Sequence, residues 1–204
     1  MKKSELTEQK ILEAAKREFF EKGFKGARMQ AIADRAEINK GLLHYYFKSK
    51  ERLFTRVFDE SAGKLFRGVV TDGIDKKLPF LETVELFIDR YMDLIKANVD
   101  LPKFVLTEIN EDPKRFIERA GVRNRKAMIA SVQEHYDLAV RQGTIRDVGL
   151  VHLLLSVVSL SVFPFLVKPM VQEILTIDEK SFIQLVEERR EYVKQMIGSL
   201  LTGD

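Results

Sequence analysis

The sequence of 204 residues has no cysteine and little proline or glycine. Without cysteine the chain has no disulfide framework, no thiolate metal site and no cysteine nucleophile, which is compatible with a cytoplasmic location. Five prolines and eleven glycines leave little room for long irregular segments. Hydrophobic residues make up 45% and charged residues 32%, which is the ordinary composition of a globular protein with a hydrophobic core. These totals favour a helix-rich globular protein.

The sequence also lacks the motifs that would indicate an enzyme. It contains no Gly-Lys-Ser/Thr phosphate loop, no dinucleotide-binding glycine fingerprint and no Gly-x-Ser-x-Gly elbow. With three histidines and no cysteine, a histidine-rich metal site is not expected. Glu108, Glu111 and Asp112 could form a cation or acid/base site with His135, but nothing in their spacing fixes such a geometry. We therefore expect a protein that is not an enzyme, with no cofactor and no metal.

Two segments bear on a membrane or secreted location. The N-terminal residues are followed by charged side chains instead of an apolar signal core, so a secretory peptide is not expected. From Gly149 to Val167, nineteen residues carry no formal charge. This run includes Pro164 and several serines, and it is marginal against the ~20 apolar residues that a membrane span needs. A buried interface helix in a cytoplasmic protein is the preferred interpretation.

Charge is distributed unevenly along the chain, whose net charge is +3. Residues 1–55 hold thirteen Lys and Arg against eight Asp and Glu, a net charge of +5, so the remainder carries −2. A basic N-terminal part on a slightly acidic body is typical of a nucleic-acid-binding arm attached to an effector body.

Helical spacing of apolar residues recurs along the whole chain, and no segment alternates as a strand would. Thr7, Asn39, Ser49 and Asp178 are predicted N-caps, and Gly23 is placed for a left-handed C-terminal cap. The fourth helix is predicted to be long and to reach Leu65 and Phe66, and the apolar run after residue 147 to break near Pro164 and Pro169. The predicted fold is all-α, with a three-helix N-terminal domain at 1–50 and a larger helical domain at 51–204.

Residues 29–51 have the pattern of a helix, a tight turn and a second helix. Ile38 would fill the turn, and Leu43 and Phe47, at i and i+4, would anchor the second helix. Lys, His and Tyr side chains must then occupy the rest of this short helix. They suit a DNA major groove, since they offer donors to guanine and phosphate and apolar surface to sugar and thymine methyl groups. Ser49 and Lys50 open the next helix and could hold a phosphate.

This segment resembles the DNA-binding domain of the tetracycline-repressor (TetR) family. The resemblance rests on Ile32-Ala33, Lys40-Gly41, Leu43-His44, Tyr46-Phe47 and Ser49-Lys50-Glu51, with Leu53 after them, and covers about residues 7–56. It implies a dimer whose two recognition helices, about Lys40–Phe47, enter successive major grooves of a near-palindromic operator. The residues expected to contact DNA are Arg28, Gln30, Asn39, Lys40, Gly41, Leu42, His44, Tyr45, Tyr46 and Lys50.

The sequence departs from the family pattern at two places. Arg28 stands where the family often has a threonine that donates to phosphate, and it could replace that contact by a charged one. Glu37 stands where a turn glycine is common. If this position has a positive φ, a non-glycine residue is strained there by roughly 1 kcal/mol. A carboxylate at this position could also repel phosphate.

For the larger domain the resemblance implies a homodimer interface at about residues 147–201 and a pocket for a small-molecule effector. The candidate pocket walls are Phe87, Tyr91, Phe104, Met128, Tyr136 and Phe163. The resulting hypothesis is a dimeric transcriptional regulator, usually a repressor, that a small molecule releases from double-stranded operator DNA. Two alternatives are an architectural DNA-binding protein without an effector and a helical protein whose basic N-terminus serves a lipid surface.

Overall fold

The structure is a computed structural model that describes residues 3–60, 78–119 and 125–203. Throughout these ranges the regular secondary structure is helical and no strand is found, which confirms the predicted all-α fold. The predicted positions Leu65 and Phe66 lie outside the described residues.

The chain folds into two compact units. The first comprises Met1–Lys64 and Asp100–Arg123, and the second comprises Leu65–Val99 and Asn124–Asp204. The first unit thus takes in helices from both sides of the boundary that we predicted at residue 50. The polypeptide leaves this unit, forms part of the second, and returns.

The first unit is built around an aromatic core. Phe54 packs edge-on against Phe19 and Phe24, with ring centroids 5.2 Å apart in each pair, and lies 5.8 Å from Phe104. Helical periodicity predicts the inward face of each helix, and the buried rings join helices distant in sequence. The helices of this unit are α1 (Lys3–Gly26), α2 (Met29–Arg35), α3 (Lys40–Tyr46), α4 (Lys50–Phe58), α6 (Leu101–Glu111) and α7 (Pro113–Arg119).

Side-chain caps define the starts of α3 and α4, as the sequence predicted. The Asn39 side chain accepts a hydrogen bond from the backbone N–H of Leu42 at 2.7 Å, and Ser49 accepts from that of Arg52 at 3.2 Å. Each cap satisfies a donor that the first helical turn leaves unpaired. The predicted cap at Thr7 is wrong: α1 begins at Lys3, so Thr7 lies inside the helix. No glycine or proline lies between Lys3 and Thr7, so the helix can begin before Thr7.

Gly23 produces a kink near the end of α1. Its φ of 68° and ψ of 173° are accessible almost only to glycine. The predicted left-handed C-terminal cap is therefore wrong in part: φ is positive as expected, but ψ lies outside the left-handed helical region and α1 continues to Gly26. Immediately after the kink, the backbone N–H of Phe24 donates to Oε1 of Glu108 at 2.6 Å. Glu108 lies on α6 and is buried, so its carboxylate ties α6 to the kink.

The second unit has an aliphatic core between three of its helices. Ile88 and Met92 are buried there on α5 (Phe80–Ala97), Leu153 and Val157 on α9 (Leu150–Leu166), and Val193 and Ile197 on α11 (Glu179–Thr202). Asp178 caps α11, as predicted, by accepting from the N–H of Ser181 at 2.8 Å. The helices of this unit are α5 (Phe80–Ala97), α8 (Arg125–Arg141), α9 (Leu150–Leu166), α10 (Lys168–Leu175) and α11 (Glu179–Thr202).

The predicted break in the apolar run lies at Val167. Helix α9 continues through Pro164 and ends at Leu166, and α10 follows with Pro169 in its first turn, bent by 62° from α9. Among the described residues no single helix is long and apolar enough to cross a membrane. Helices α9 and α10 would meet the length and composition requirements only together, as this bent pair.

Candidate nucleic-acid interface and ligand cavity

The turn between α2 and α3 is closed by backbone hydrogen bonds. The N–H of Glu37 donates to the carbonyl of Asp34 at 3.1 Å, and that of Ile38 donates to the carbonyl of Ala33 at 3.0 Å. Glu37 has a φ of 57°, so the positive φ considered for this position is confirmed. A glycine would take this conformation without strain, whereas Glu37 takes it at the expense of stability.

Two side chains fix the orientation of α3. Leu43 is completely buried and Phe47, directly after the helix, is nearly so, which confirms the predicted anchors. Because the helix has only seven residues, its other side chains face outward or sideways. Lys40, Gly41, His44 and Tyr45 are exposed, and Leu42 and Tyr46 are half-buried. The first unit thus presents a short helix whose outer face carries cationic, imidazole and phenol groups.

Asn39 and Gly41 have linked structural roles at the start of α3. Oδ1 of Asn39 is occupied by the cap to Leu42, so this residue holds the helix in addition to any contact with DNA. A Cβ on Gly41 would lie 3.3 Å from Oδ1 of Asn39, a tight contact. Glycine at this position therefore leaves room for the Asn39 cap.

The two tyrosines of α3 differ in their environment. Tyr45 is 71% exposed, and its ring lies 5.5 Å from Nζ of Lys48, a cation that the sequence analysis did not include among the candidates. Tyr46 packs edge-on against Tyr45 at 5.6 Å. Its hydroxyl lies 3.1 Å from Oγ of Ser4 and donates to the Ser4 carbonyl at 3.4 Å. Tyr46 thus joins α3 to the first turn of α1.

Lys50 is held by the first unit itself. Its Nζ donates to the carbonyl oxygen of Ala27 at 3.0 Å and lies 4.6 Å from the centroid of the Phe24 ring. The side chain is half-buried. The ammonium group therefore stabilises the segment between α1 and α2 in addition to any interaction with phosphate.

The remaining candidates lie on α2. Arg28 is exposed at the N-cap position, with extended backbone and no capping hydrogen bond from its side chain. Gln30 is exposed and donates to Oδ1 of Asp34 at 2.7 Å. Arg35 faces α1 instead, where it donates to both carboxylate oxygens of Glu21 at 2.9 Å. The hydrogen bond from Arg35 lowers the pKa of Glu21. This pair fixes α2 against α1.

A cavity of about 330 Å³ lies within the second unit. Its walls come from α5, α8 and α9, and two of the six predicted wall residues, Phe87 and Met128, belong to them. Ile129, Leu154 and Val158 are each more than a third exposed, so the cavity is accessible from that side. Its lining is Phe80, Thr83, Val84, Phe87, Met128, Ile129, Val132, His135, Leu150, Leu153, Leu154, Val157 and Val158.

The other four predicted wall residues do not line this cavity. Tyr91 stacks on Phe87 at 5.5 Å, and burial raises its pKa to about 12. Phe104 lies in the first unit, where it packs against Phe20 at 5.0 Å. Phe163 is 56% exposed. Tyr136 is buried and does not line this cavity. Aromatic residues at helical spacing mark a packed or an exposed face equally well, so spacing could not assign them to one cavity.

Tyr136 organises the loop before α9. Its hydroxyl donates to Oδ1 of Asp147 at 2.8 Å and accepts from the N–H groups of Val148 at 2.9 Å and Gly149 at 2.8 Å. The hydrogen bond from Tyr136 lowers the pKa of Asp147, and burial with this bond raises the pKa of Tyr136. The one donor and both acceptor positions of this hydroxyl are therefore occupied by partners within the second unit.

His135 is a cavity residue that the sequence analysis did not recognise as one. It lines the cavity next to Phe80, with ring centroids 5.3 Å apart. Its Nδ1 is buried and has no hydrogen-bond partner among the described residues. Glu108, which the sequence analysis grouped with His135 as a possible cation or acid/base site, accepts the hydrogen bond from the kink in α1. Within the described residues no three His, Asp or Glu side chains gather as a metal site.

The arrangement of α2, its turn and α3 is that of a DNA-binding helix-turn-helix protein. The family described as "Bacterial regulatory proteins, tetR family" matches residues 11–57. The HTH-type transcriptional repressor SCO4008 of Streptomyces coelicolor is 32% identical over 147 residues, which are 71% of this chain and 68% of that protein. The repressor NicS of Pseudomonas putida is 27% identical over 169 residues, or 77% and 74% of the two chains.

A solved structure supports the fold over nearly the full length. HlyIIR, a hemolysin II transcriptional regulator, superposes with a TM-score of 0.64 at 22% identity, covering 92% of this chain and 97% of that one. The chain belongs to the tetR family of bacterial regulatory proteins, and it is a helix-turn-helix transcriptional regulator.

Proposed function

We propose that this protein is a homodimeric repressor that binds operator DNA through α3 and is released by a small molecule in the cavity of the second unit. The observation that carries the DNA-binding part is the outer face of α3, where Lys40, His44 and Tyr45 are exposed while Leu43 is buried. A seven-residue helix anchored in this way offers its outer side chains to a major groove. Such a regulator would act in the cytoplasm, where the chromosome lies.

Individual contacts follow from exposure and chemistry. Lys40 would bind phosphate or guanine, His44 a base edge or phosphate, and the exposed Tyr45 ring a sugar or thymine methyl group. Tyr46 would position α3 through Ser4 and reach the DNA from the side. Contacts to the sugar-phosphate backbone of the DNA would come from the start of α2, through Arg28 and Gln30, and from the start of α3, through Asn39, Gly41 and Leu42. Lys50 would place a positive charge near a phosphate while holding Ala27.

The dimer is supported by apolar side chains left uncovered on α9 and α11. Val151 and Leu155 on α9 are 67% and 63% exposed, and Tyr192 on α11 is 62% exposed, with Met196 and Leu200 following at helical spacing. An isolated subunit rarely leaves so much apolar surface on two neighbouring helices. A second copy would bury these faces in a four-helix interface at about residues 147–201, and the two-fold symmetry would present paired heads to the operator.

Effector release would couple two sites. The apolar cavity is large enough to accept a small molecule. A ligand bound there would release DNA only if it stabilised a separation of the two DNA-binding units in the dimer that differs from the separation required by the operator. An architectural DNA-binding protein would share α3 but show no such coupling.

Footprinting of the purified full chain on genomic DNA tests the first part. We expect protection of a limited number of near-palindromic sites, and Tyr45→Ala should abolish their protection because it removes an exposed groove-facing ring. Uniform, sequence-independent binding would contradict the proposal and support an architectural role.

The oligomeric state is tested by light scattering coupled to size-exclusion chromatography. Leu155→Glu should convert a dimer into a monomer. Leu106→Glu, a matched substitution of an exposed leucine on α6 in the first unit, should not. A wild-type monomer, or a dimer insensitive to Leu155→Glu, would exclude the proposed interface.

A further inference from the structure

An extended segment joins α3 to α4. Its first residue, Phe47, has φ −128° and ψ 100°, and its last, Ser49, has φ −148° and ψ 163°. Neighbouring side chains of an extended chain point to opposite sides. Phe47 is buried and Ser49 caps α4, whereas Lys48 between them is exposed. The backbone therefore directs Lys48 away from the core of the first unit.

Lys48 and Lys50 are two residues apart, and their ammonium groups lie in different surroundings. Nζ of Lys50 is bound within the first unit, by the carbonyl oxygen of Ala27 and the ring of Phe24. Nζ of Lys48 lies over the exposed ring of Tyr45, 5.5 Å from its centroid. Among the described residues the ammonium group of Lys48 has no ion pair and no hydrogen bond. Its charge therefore lies beside Tyr45 without a carboxylate from the described residues to neutralise it.

The contact with Tyr45 orders the Lys48 side chain without using its hydrogen-bond donors. An ammonium group is attracted to the face of an aromatic ring. Its N–H donors form no conventional hydrogen bond there, so they can bind an anion. Because both side chains are held before the anion arrives, less conformational freedom is lost when it binds. Phosphate is the anion that the outer face of α3 would meet on DNA.

We propose that Lys48 is a further DNA-contacting residue, which binds a backbone phosphate while its ammonium group stays against the Tyr45 ring. The ring would lie on a sugar or a thymine methyl group, and the ammonium group would reach a neighbouring phosphate. Lys48 thus has two roles, as a phosphate contact and as a residue that positions Tyr45. This inference rests on the proposed binding of DNA through α3, and it adds to that surface a cation from outside the helix.

The salt dependence of DNA affinity tests the phosphate contact on the full chain. One duplex carries the strongest site that the wild-type protein protects in footprinting, and a second has the same length and composition in scrambled order. Lys48→Gln should reduce the magnitude of the slope of log affinity against log salt by about one unit on both duplexes. Lys48→Arg should retain the slope because it keeps the charge. Lys103→Gln, which removes an exposed lysine of α6, should also retain it.

An unchanged slope for Lys48→Gln would overturn the phosphate contact, and a change confined to the first duplex would assign Lys48 to a base edge instead. The scrambled duplex needs no operator, so it decides the Lys48 contact even if footprinting reveals no site. Failure of footprinting would contradict the proposed function, whereas an unchanged slope would contradict only this inference. Urea denaturation should give equal free energies of unfolding for the wild type and Lys48→Gln, since the side chain is exposed. A less stable variant would indicate a role in folding and contradict the proposal.

A double-mutant cycle tests the coupling between Lys48 and Tyr45. At a salt concentration at which every variant binds, Lys48→Gln should lower the affinity for the first duplex about threefold more in the wild type than in Tyr45→Leu. Tyr45→Phe keeps the ring and should keep the full effect of Lys48→Gln. Additive effects of Lys48→Gln and Tyr45→Leu would overturn the positioning role.

Proton NMR of the free protein checks the geometry of the pair. The ring current of Tyr45 should move the ε-methylene protons of Lys48 upfield, and their resonance is identified by its loss in Lys48→Gln. The shift should vanish in Tyr45→Leu and persist in Tyr45→Phe. Its absence from the wild type would overturn the proposed arrangement.

Discussion

Nε of Arg189 on α11 donates to the carbonyl oxygen of Leu160 on α9 at 3.0 Å. Leu160 is four residues before Pro164, which lies inside the helix and has no N–H to give to that carbonyl. The arginine therefore replaces the missing backbone donor. The hydrogen bond from Arg189 explains how α9 can contain a proline within the second unit, since it pairs a carbonyl that would otherwise be left without a donor.

Removal of this donor should destabilise the protein in a way that depends on the proline. Arg189→Met is expected to lower the free energy of unfolding by about 1–2 kcal/mol, since it leaves the Leu160 carbonyl unpaired. In a Pro164→Ala background, which restores a backbone N–H, the same change should have a much smaller effect. Urea denaturation of the four proteins measures the coupling. Arg141→Met removes an exposed arginine as a control, and additive effects would refute the explanation.

The kink in α1 should be intolerant of any side chain. Gly23→Ala introduces both positive-φ strain and a Cβ 3.1 Å from Oε1 of Glu108. Gly143 has a similar φ, 69°, and nothing within 4 Å of an added Cβ, so Gly143→Ala reports the cost of a positive φ without the Glu108 contact and without the ψ of 173° at Gly23. We expect a loss of about 1 kcal/mol for Gly143→Ala and at least twice that for Gly23→Ala. Thermal or chemical denaturation decides between this and equal effects, which would mean that the Glu108 contact adds nothing.

The strained turn offers a stabilising substitution. Glu37→Gly should raise the free energy of unfolding by about 0.5–1 kcal/mol, because glycine adopts the positive φ without strain. This gain exceeds the loss that comes from the greater freedom of glycine in the unfolded chain. Glu37→Ala also removes the carboxylate but keeps the Cβ, so it should give no such gain. An equal gain for both variants would trace the effect to charge instead of backbone strain.

Lys40 and Lys50 are both expected to approach phosphate, but they should differ in how much they contribute to the free energy of unfolding. Each change to alanine should reduce the magnitude of the slope of log affinity against log salt by about one unit. Lys50→Ala should also destabilise the fold by roughly 1 kcal/mol, because it removes the hydrogen bond to Ala27 and the contact with Phe24. Lys40→Ala should leave stability unchanged. Lys103→Ala, an exposed lysine of α6, serves as the control, and an unchanged slope would remove either lysine from the interface.

The lowered pKa of His135 predicts a dependence of stability on pH. Burial makes the folded ring harder to protonate than the ring in the unfolded chain, whose ordinary pKa is 6.5. The contribution to stability is therefore full above pH 6.5 and is lost as the pH falls through the lower folded pKa. Unfolding free energies measured between about pH 7.5 and 5 should decrease, and His135→Leu should flatten this decrease. An unaltered profile in His135→Leu would assign the dependence to other groups.

The sequence predicted features that depend on neighbouring residues. The caps at Asn39 and Ser49, the anchors Leu43 and Phe47 and the positive φ at Glu37 all follow from short patterns with a local physical cause. The helix-turn-helix is built from such patterns, so its fold could be predicted almost completely. The DNA contacts assigned to its exposed side chains stay predictions.

Features that depend on distant residues could not be predicted. Helical periodicity gives the buried face of α6 but not its partner, so Phe104 was assigned to a ligand pocket while it packs in the first unit. In the same way, nothing local indicates that the Tyr136 hydroxyl binds Asp147 or that His135 lines a cavity. The signal that the sequence carries for His135 is weak: its adjacent residues are polar or amphipathic, and only Val132, Leu138 and Ala139, three or four positions away on α8, are apolar.

The division of the first unit between two stretches of chain limits how this regulator can be re-engineered. A cassette that ends at residue 60 would transplant the recognition helix without α6, leaving the Phe24 amide without the Glu108 carboxylate and the Phe20 and Phe54 rings without Phe104. Hybrid regulators made by joining such a cassette to a foreign body would start with a defective head. New operator specificity in this scaffold is therefore better obtained by point substitutions on α3, or by transferring residues 1–64 and 100–123 together.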